Sequence, residues 1–154
     1  VFEVIGKTEK DLRDENKQSQ KNLIEHFFKW TENIKIKNCI CQNPHFDLGF
    51  LTIRANRYGL KIPFHHRAFD LHSIAHTKYF QINGKFLIKN SYSDLGLRNI
   101  LNFVGLKYER KAHNALEDAR LAAECFSRLV YGKNLLQEFA KFSVPEVLRK
   151  EKEK

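Results

Sequence analysis

The chain has no long apolar run, no methionine and only three prolines. Its stretches of consecutive apolar residues are a few residues long, far below the roughly 18 that a membrane-spanning helix needs. No basic segment followed by an apolar one opens the sequence, so a secretory leader is not predicted. We therefore expect a cytoplasmic or otherwise intracellular protein, neither secreted nor inserted in a membrane.

Cysteine is also scarce, and Cys39, Cys41 and Cys125 are odd in number. This usage fits a reducing compartment, and the three thiols are predicted to be buried. A zinc site would need more cysteines or histidines at ligand spacing. Of the seven histidines, only the pairs 65–66 and 72 with 76 cluster, and the second pair is predicted to share one face of a helix.

Positive charge is abundant. The 154 residues carry a net charge of +9, and the segment 60–112 alone has nine basic and three acidic residues. A basic surface of this kind attracts phosphate backbones and makes binding dependent on salt. Arg110 and Lys111 are the candidates for contact with a nucleic-acid backbone, and the alternative is that they belong to a solvated face.

A length of 154 residues with 42% hydrophobic residues predicts one domain, and apolar periodicity predicts amphipathic helices within it. Residues 19–35 should form a helix capped by Ser19, a second helix should run from Asp47 to Gly59, and a third from about 114 to 131 with Gly132 as its stop. The residues predicted to face the core are Leu23, Phe27, Trp30 and Ile34 in the first helix and Leu116, Ala119, Ala123, Phe126 and Val130 in the third.

Strand signals are shorter. N-C-I-C-Q, residues 38–42, is predicted to be a buried parallel strand that delivers Asp47 beyond its C-terminal end, where ligands bind in α/β sheets. Asn83-Gly84 lies between two apolar runs and predicts a hairpin or basic flap over residues 79–89 that contacts a substrate strand. Ser93 or Asp94 should cap the next helix, which ends at Gly105.

Two motifs carry the candidate chemistry. Q-N-P-H-F-D-L-G-F-L contains Asp47, and K-A-H-N-A-L-E-D-A-R contains His113 and Asp118. Two carboxylates and an imidazole are the parts needed to hold divalent metal and to activate water against a phosphodiester. Five helical residues turn through about 500°, so His113 must precede the helix if it is to face the same site as Asp118. The alternative for Asp47 is an N-cap or first-turn carboxylate stabilised by the helix dipole.

Residues near the two motifs have structural or ligand-binding interpretations. Asp70 follows the strand-like H-R-A-F and is predicted to be a helix cap, not a metal ligand. Phe50 is predicted to be core, whereas Phe46 either packs or stacks on terminal bases. Asn43 either bonds a sugar or closes the turn at the end of the strand.

The motifs resemble those of the DEDDh (DnaQ-like) 3′–5′ exonucleases. N-x-x-F-D-x-x-F-L, from Asn43 to Leu51, is similar to the family's second motif, and H-x-A-x-x-D, from His113 to Asp118, is similar to its third. The resemblance runs from about Thr8 to Tyr131. It implies a ribonuclease-H-like three-layer α/β domain in residues 1–132, followed by a C-terminal extension with a charged tail in residues 133–154.

The resemblance also implies a site and an activity. Asp47 and Asp118 would hold two Mg²⁺ or Mn²⁺ ions, and His113 would take a proton from the attacking water. The substrate would be the 3′ end of single-stranded DNA or RNA, hydrolysed to nucleoside 5′-monophosphates. Whether a polymerase or another protein is a partner stays open.

The family's opening strand, which carries Asp-x-Glu, has no counterpart upstream of Asp47. G-K-T-E-K-D-L, from Gly6 to Leu12, is similar to the segment that follows the family's first three strands. The chain is therefore expected to lack those strands and to be inactive as it stands. The alternative is a non-catalytic nucleic-acid-binding or assembly module on the same fold, and a third interpretation takes the motifs as coincidental helix caps.

Overall fold

The computed structural model describes residues 7–108 and 114–149, where helices alternate with short strands. The helices are α1 (Glu9–Leu12), α2 (Gln20–Trp30), α3 (Pro44–Arg57), α4 (Leu71–Asn83), α5 (Leu97–Phe103) and α6 (Ala115–Tyr131). The strands are β1 (Ile40–Cys41), β2 (Phe69–Asp70), β3 (Ile88–Lys89) and β4 (Tyr92–Ser93), and 3₁₀ turns cover Thr31–Asn33, Gln137–Phe139 and Glu146–Leu148. The mixed α/β class is confirmed.

The strands form two separate pairs. β1 and β2 are parallel, with Ile40 opposite Phe69 and Cys41 opposite Asp70. Helix α3 makes the crossover between them, as parallel strands require. The carboxyl ends of β1 and β2 therefore lie at the same edge. The predicted parallel strand exists, but it has only two residues and Ile40 is partly exposed, so the prediction of a buried strand is wrong for that residue.

Two apolar clusters support these elements. The larger one joins α4, α5, α6 and the segment after α6, and its buried members include Leu71, Ile100, Leu106, Leu121 and Phe139. The smaller one joins Ile24 and Phe28 of α2 to Ala55 of α3. Within residues 7–108 and 114–149, no helix is both long and apolar enough to span a bilayer.

The predicted inner face is wrong for α2 and correct only in part for α6. In α2 the buried residues are Ile24 and Phe28, whereas Trp30 is 68% exposed and the rest of the predicted row is also exposed. α2 has apolar residues on two neighbouring rows, and packing against Ala55 selects the other one. In α6, Leu116 and Ala119 are exposed and Ala123 is half-buried, but Phe126 and Val130 pack against the larger apolar cluster as predicted.

The predicted hairpin is displaced along the chain. α4 continues to Asn83 and ends on Gly84, whose φ of 68° is the left-handed conformation common after a helix. The hairpin is β3–β4, and its turn is Asn90-Ser91, both with positive φ. Neither Ser93 nor Asp94 caps α5, because the helix begins only after Gly96. The prediction of a hairpin over residues 79–89 is therefore wrong.

A buried ion pair fastens α6 to the segment that follows it. Glu124 and Arg128 are both 0% exposed, and their side chains meet at 2.8 Å. Glu124 also accepts the N–H groups of Leu135 and Leu136, both at 2.9 Å. The Arg128 guanidinium donates to several oxygens of the surrounding chain: Val104 O, Phe139 O, Phe142 O and Asn134 Oδ1. Every charge here has partners, which is what burial of a charge demands.

Candidate functional site

The candidate site begins where β1 turns into α3. Asn43 has φ 58° and ψ 67°, a left-handed conformation that asparagine tolerates better than most residues. Its N–H donates to Asp70 Oδ1 at 3.1 Å, and Pro44 starts the helix directly afterwards. Proline favours this first helical position. Helix α3 thus begins before Asp47, which lies in the first turn and is not the N-cap.

A cavity of about 570 Å³ opens between this turn and α6. Its walls come from the end of β1, the start of α3, the start of α5 and the first turns of α6. The residues that line it include Cys41, Gln42, Asn43, Phe46, Asp47, Leu97, Ala115, Asp118 and Ala119. Four predicted site residues, Asn43, Phe46, Asp47 and Asp118, therefore share one cavity, although the two aspartates are far apart in the sequence.

His113, Arg110 and Lys111 lie outside the described residues, so their predicted roles stay predictions. The described part of α6 nevertheless fits the predicted start of the helix. Asn114 is the N-cap and accepts the N–H groups of Leu116 and Glu117 at 3.1 Å. Asp118 is half-buried, and the small side chains of Ala115 and Ala119 lie beside it in the cavity wall.

Asp47 is exposed at the wall of the cavity. Local desolvation there raises the pKa of the Asp47 carboxyl above its usual range, and a hydrogen bond from the residue's own backbone opposes this only in part. Burial, followed by the charge of Asp47, raises the pKa of the Cys41 thiol to about 11. Cys41 is therefore protonated at neutral pH. A cation beside Asp47 would favour its ionised form.

Asp70, at the end of β2, has a different environment. It is the N-cap of α4, as predicted, and accepts the His72 N–H at 3.1 Å and the Ser73 hydroxyl at 2.5 Å. Burial alone would raise the pKa of Asp70. The hydrogen bonds from Ser73, Asn43 and His72 outweigh that effect and lower it. The carboxylate is thus used within the fold.

An exposed apolar strip on α3 adjoins the cavity. Phe46 is 78% exposed at the cavity wall, and Phe50 is 53% exposed with the Arg54 guanidinium carbon 5.1 Å from its ring centroid. The prediction that Phe50 is core is wrong, because α3 buries Ala55 on another side. Phe46 is positioned to meet a ligand in the cavity.

The residues of the cavity suit part of a metal site. Asp47 and Asp118 offer carboxylates and Asn43 an amide oxygen, the ligand type that Mg²⁺ and Mn²⁺ prefer. Across residues 7–108 and 114–149, no three side chains of histidine, cysteine, aspartate or glutamate are grouped to hold a metal ion. Within the described residues, the two aspartates would supply two carboxylate ligands.

A second cavity, which the sequence analysis missed, lies on the other side of Asn43. Its volume is about 690 Å³, and its wall includes His45, His65, His66, Phe64 and Thr52. The rings of His65 and His66 are 4.1 Å apart between centroids. The adjacent histidines were visible in the sequence, but nothing in their spacing tied them to His45.

No family model matches the chain, and neither a curated protein nor a solved structure is significantly similar to it. The likeness to the DEDDh exonucleases therefore rests on the motif residues alone.

Proposed function

We propose that this chain carries part of the site of a metal-dependent 3′–5′ exonuclease with a ribonuclease-H-like fold. One observation carries the proposal: Asp47 and Asp118, from two separate motifs, line one cavity beyond the carboxyl end of a parallel strand. That edge is where α/β sheets bind their ligands. Coincidental helix caps would not require the two side chains to converge.

Asp47 and Asp118 would hold the divalent ions through carboxylate oxygens. When bound, a pair of Mg²⁺ or Mn²⁺ ions would acidify the attacking water and stabilise the leaving oxygen. The exposed ring of Phe46 could stack on a terminal base, and the Asn43 amide could bond its sugar. His113 is predicted to accept the proton from the attacking water.

One specific observation favours the second candidate, a non-catalytic nucleic-acid-binding or assembly module. The described residues supply two carboxylates at the cavity and no group of three metal-binding side chains. By resemblance, an Asp-x-Glu strand would complete the set, and this sequence has none upstream of Asp47. Metal-dependent hydrolysis separates the two functions, because binding alone does not need it.

The first test is calorimetric titration of Mn²⁺ into the chain and into the Asp47→Asn and Asp118→Asn variants. We expect weak Mn²⁺ binding that either substitution abolishes. The matched control, Asp94→Asn, should bind Mn²⁺ like the unchanged chain. Binding that is absent, or unchanged in both variants, would overturn the metal site.

The second test concerns hydrolysis. The coding sequence upstream of Val1 is read for Asp-x-Glu, and the natural protein is assayed for release of nucleoside monophosphates from single strands labelled at the 3′ end. Release that requires Mg²⁺ and Asp118 supports the exonuclease. A natural protein that binds single strands without cutting them supports the binding module instead.

A further inference from the structure

A basic segment with exposed rings lies between Asp70 and Asp94. The chain has no acidic residue in this interval, but it has three lysines, Lys78, Lys85 and Lys89. Lys85 and Lys89 are exposed. Since no carboxylate of the same segment neutralises them, the lysines give α4 and the β3–β4 hairpin a positive local charge.

Aromatic side chains accompany these lysines. The rings of Phe80 and Phe86 stack with their centroids 4.6 Å apart, and His76 lies 4.7 Å from Phe86. Phe80 and Phe86 both remain about half exposed. Tyr92 is 78% exposed and pairs with Lys89 across the hairpin. Directly opposite residues project from the same face of a hairpin, so a cation and an aromatic ring stand side by side.

Contacts with the larger apolar cluster and with α4 hold the hairpin in place. Leu87 packs against the larger apolar cluster, and its carbonyl accepts the Asp94 N–H at 2.9 Å. The His72 ring nitrogen Nε2 lies 2.7 Å from the Ser93 hydroxyl and joins the end of the hairpin to α4. The exposed rings are therefore presented by an anchored element.

A short stretch of chain joins the hairpin to the Asp47–Asp118 cavity. Leu97, four residues after the end of β4, lines that cavity together with Gln42. The Gln42 amide also donates to the Leu95 carbonyl at 3.5 Å. The hairpin and the cavity wall are therefore neighbours along the chain.

We propose that Phe80, Phe86, Tyr92, Lys85 and Lys89 form a docking surface for single-stranded nucleic acid. Aromatic rings stack on bases of any sequence, and lysines follow the phosphates, which is how sequence-tolerant single-strand binders work. The statement that the bound strand directs its 3′ end to the cavity rests on the proposed function. Binding itself requires neither metal nor hydrolysis.

The test is fluorescence anisotropy of a labelled oligothymidine, titrated with the full chain in EDTA at several salt concentrations. The variants are Tyr92→Ala, Phe86→Ala and the pair Lys85→Glu with Lys89→Glu, each checked by circular dichroism. The matched controls are Trp30→Ala, which removes a ring that is 68% exposed on α2, and Lys29→Glu, which reverses a charge on the same helix.

We expect each aromatic substitution to weaken binding roughly tenfold, as for a lost base stack. Each lysine lost should make the negative slope of log affinity against log salt less steep by about 0.7. The two controls should bind like the unchanged chain. The surface is overturned if the hairpin variants bind normally, if the controls lose as much affinity, or if the unchanged chain binds no oligothymidine.

The EDTA of the binding assay separates this surface from the proposed activity. Chelation removes divalent metal, so the assay reports strand binding alone, whereas the metal titration contains no nucleic acid. Failure of the metal titration would thus remove the exonuclease and leave the binding surface standing, whereas normal binding by the hairpin variants would remove only the surface.

Discussion

Asp70 ends one strand of the parallel pair and Asp47 follows the other, yet their surroundings are opposite. Asp70 accepts hydrogen bonds from the start of α4 and from Asn43, and these bonds lower its pKa. Asp47 is exposed at a cavity wall, and local desolvation raises its pKa. A carboxylate that accepts hydrogen bonds from the fold stabilises the fold. One whose pKa is raised at a cavity wall is a candidate for binding a ligand.

The largest stability effect is expected at the fully buried pair Glu124–Arg128, whose charges the fold also satisfies. Arg128→Met should lower the free energy of unfolding by about 3–5 kcal/mol, because Glu124 would keep a buried charge without its guanidinium partner. The measurement is urea denaturation. Arg120→Met is the matched control: its pair with Glu138 is half exposed, and its loss should cost no more than about 1 kcal/mol. Equal losses of unfolding free energy in the two variants would show that burial does not decide the cost of breaking an ion pair here.

The next largest effect concerns Asp70. Asp70→Ala should lower the free energy of unfolding by about 1–2 kcal/mol at neutral pH, since the substitution removes the N-cap of α4. A lowered pKa in the folded state contributes stability above the unfolded pKa and loses it as pH falls through the folded value. The stability difference between variant and parent should therefore begin to shrink as pH falls below about 4 and should be lost below the lowered pKa of Asp70. A gap that persists in acid would refute this assignment.

Asp47→Asn should change stability in the direction opposite to Asp70→Ala. The substitution removes a partly desolvated charge, so stability at neutral pH should stay the same or rise. Because the pKa of Asp47 is raised in the folded state, the advantage of the variant should be present above that pKa and disappear as pH falls through it. The measurement is thermal denaturation across pH. A clear loss of stability at neutral pH would mean that Asp47 serves the fold, as Asp70 does.

The smallest stability effect is expected at Asn43. Asn43→Gly should change the free energy of unfolding by less than about 0.5 kcal/mol, because glycine adopts the left-handed conformation readily and the N–H bond to Asp70 remains. Asn43→Ala, the control, should be less stable than the glycine variant. If Asn43→Gly nevertheless weakens oligothymidine binding, the Asn43 amide contacts the strand; unchanged binding would exclude that role.

Local signals in the sequence predicted several boundaries correctly. Ser19 caps α2, Asp70 caps α4, and α6 lies between Asn114 and Gly132. These features depend on hydrogen bonds and backbone preferences within a few residues, so a short stretch of sequence contains all the information they need.

Features that depend on distant residues could not be predicted in the same way. Asn83-Gly84 suits both a hairpin turn and the end of a helix, and the packing of Ile82 and Tyr79 of α4 against the larger cluster supports the helix. The buried row of α2 depends on Ala55. Glu124 and Arg128 look like an exposed pair on a helix surface until the segment after α6 covers them.

Local sequence patterns likewise predicted only part of the candidate site. Each motif identifies its aspartate, but their convergence depends on the position of α6 relative to β1 and α3, which no local pattern contains. The resemblance suggested the convergence, and the cavity supports it.

The most direct measurement is paramagnetic broadening of amide NMR signals by Mn²⁺. We expect that signals from the first turn of α3, around Asp47, and from the first turns of α6, around Asp118, broaden together at low Mn²⁺. Asp118→Asn should abolish the broadening in both helices, including α3, which it does not alter covalently. Broadening of only one helix, or broadening in α3 that survives Asp118→Asn, would contradict a shared metal site.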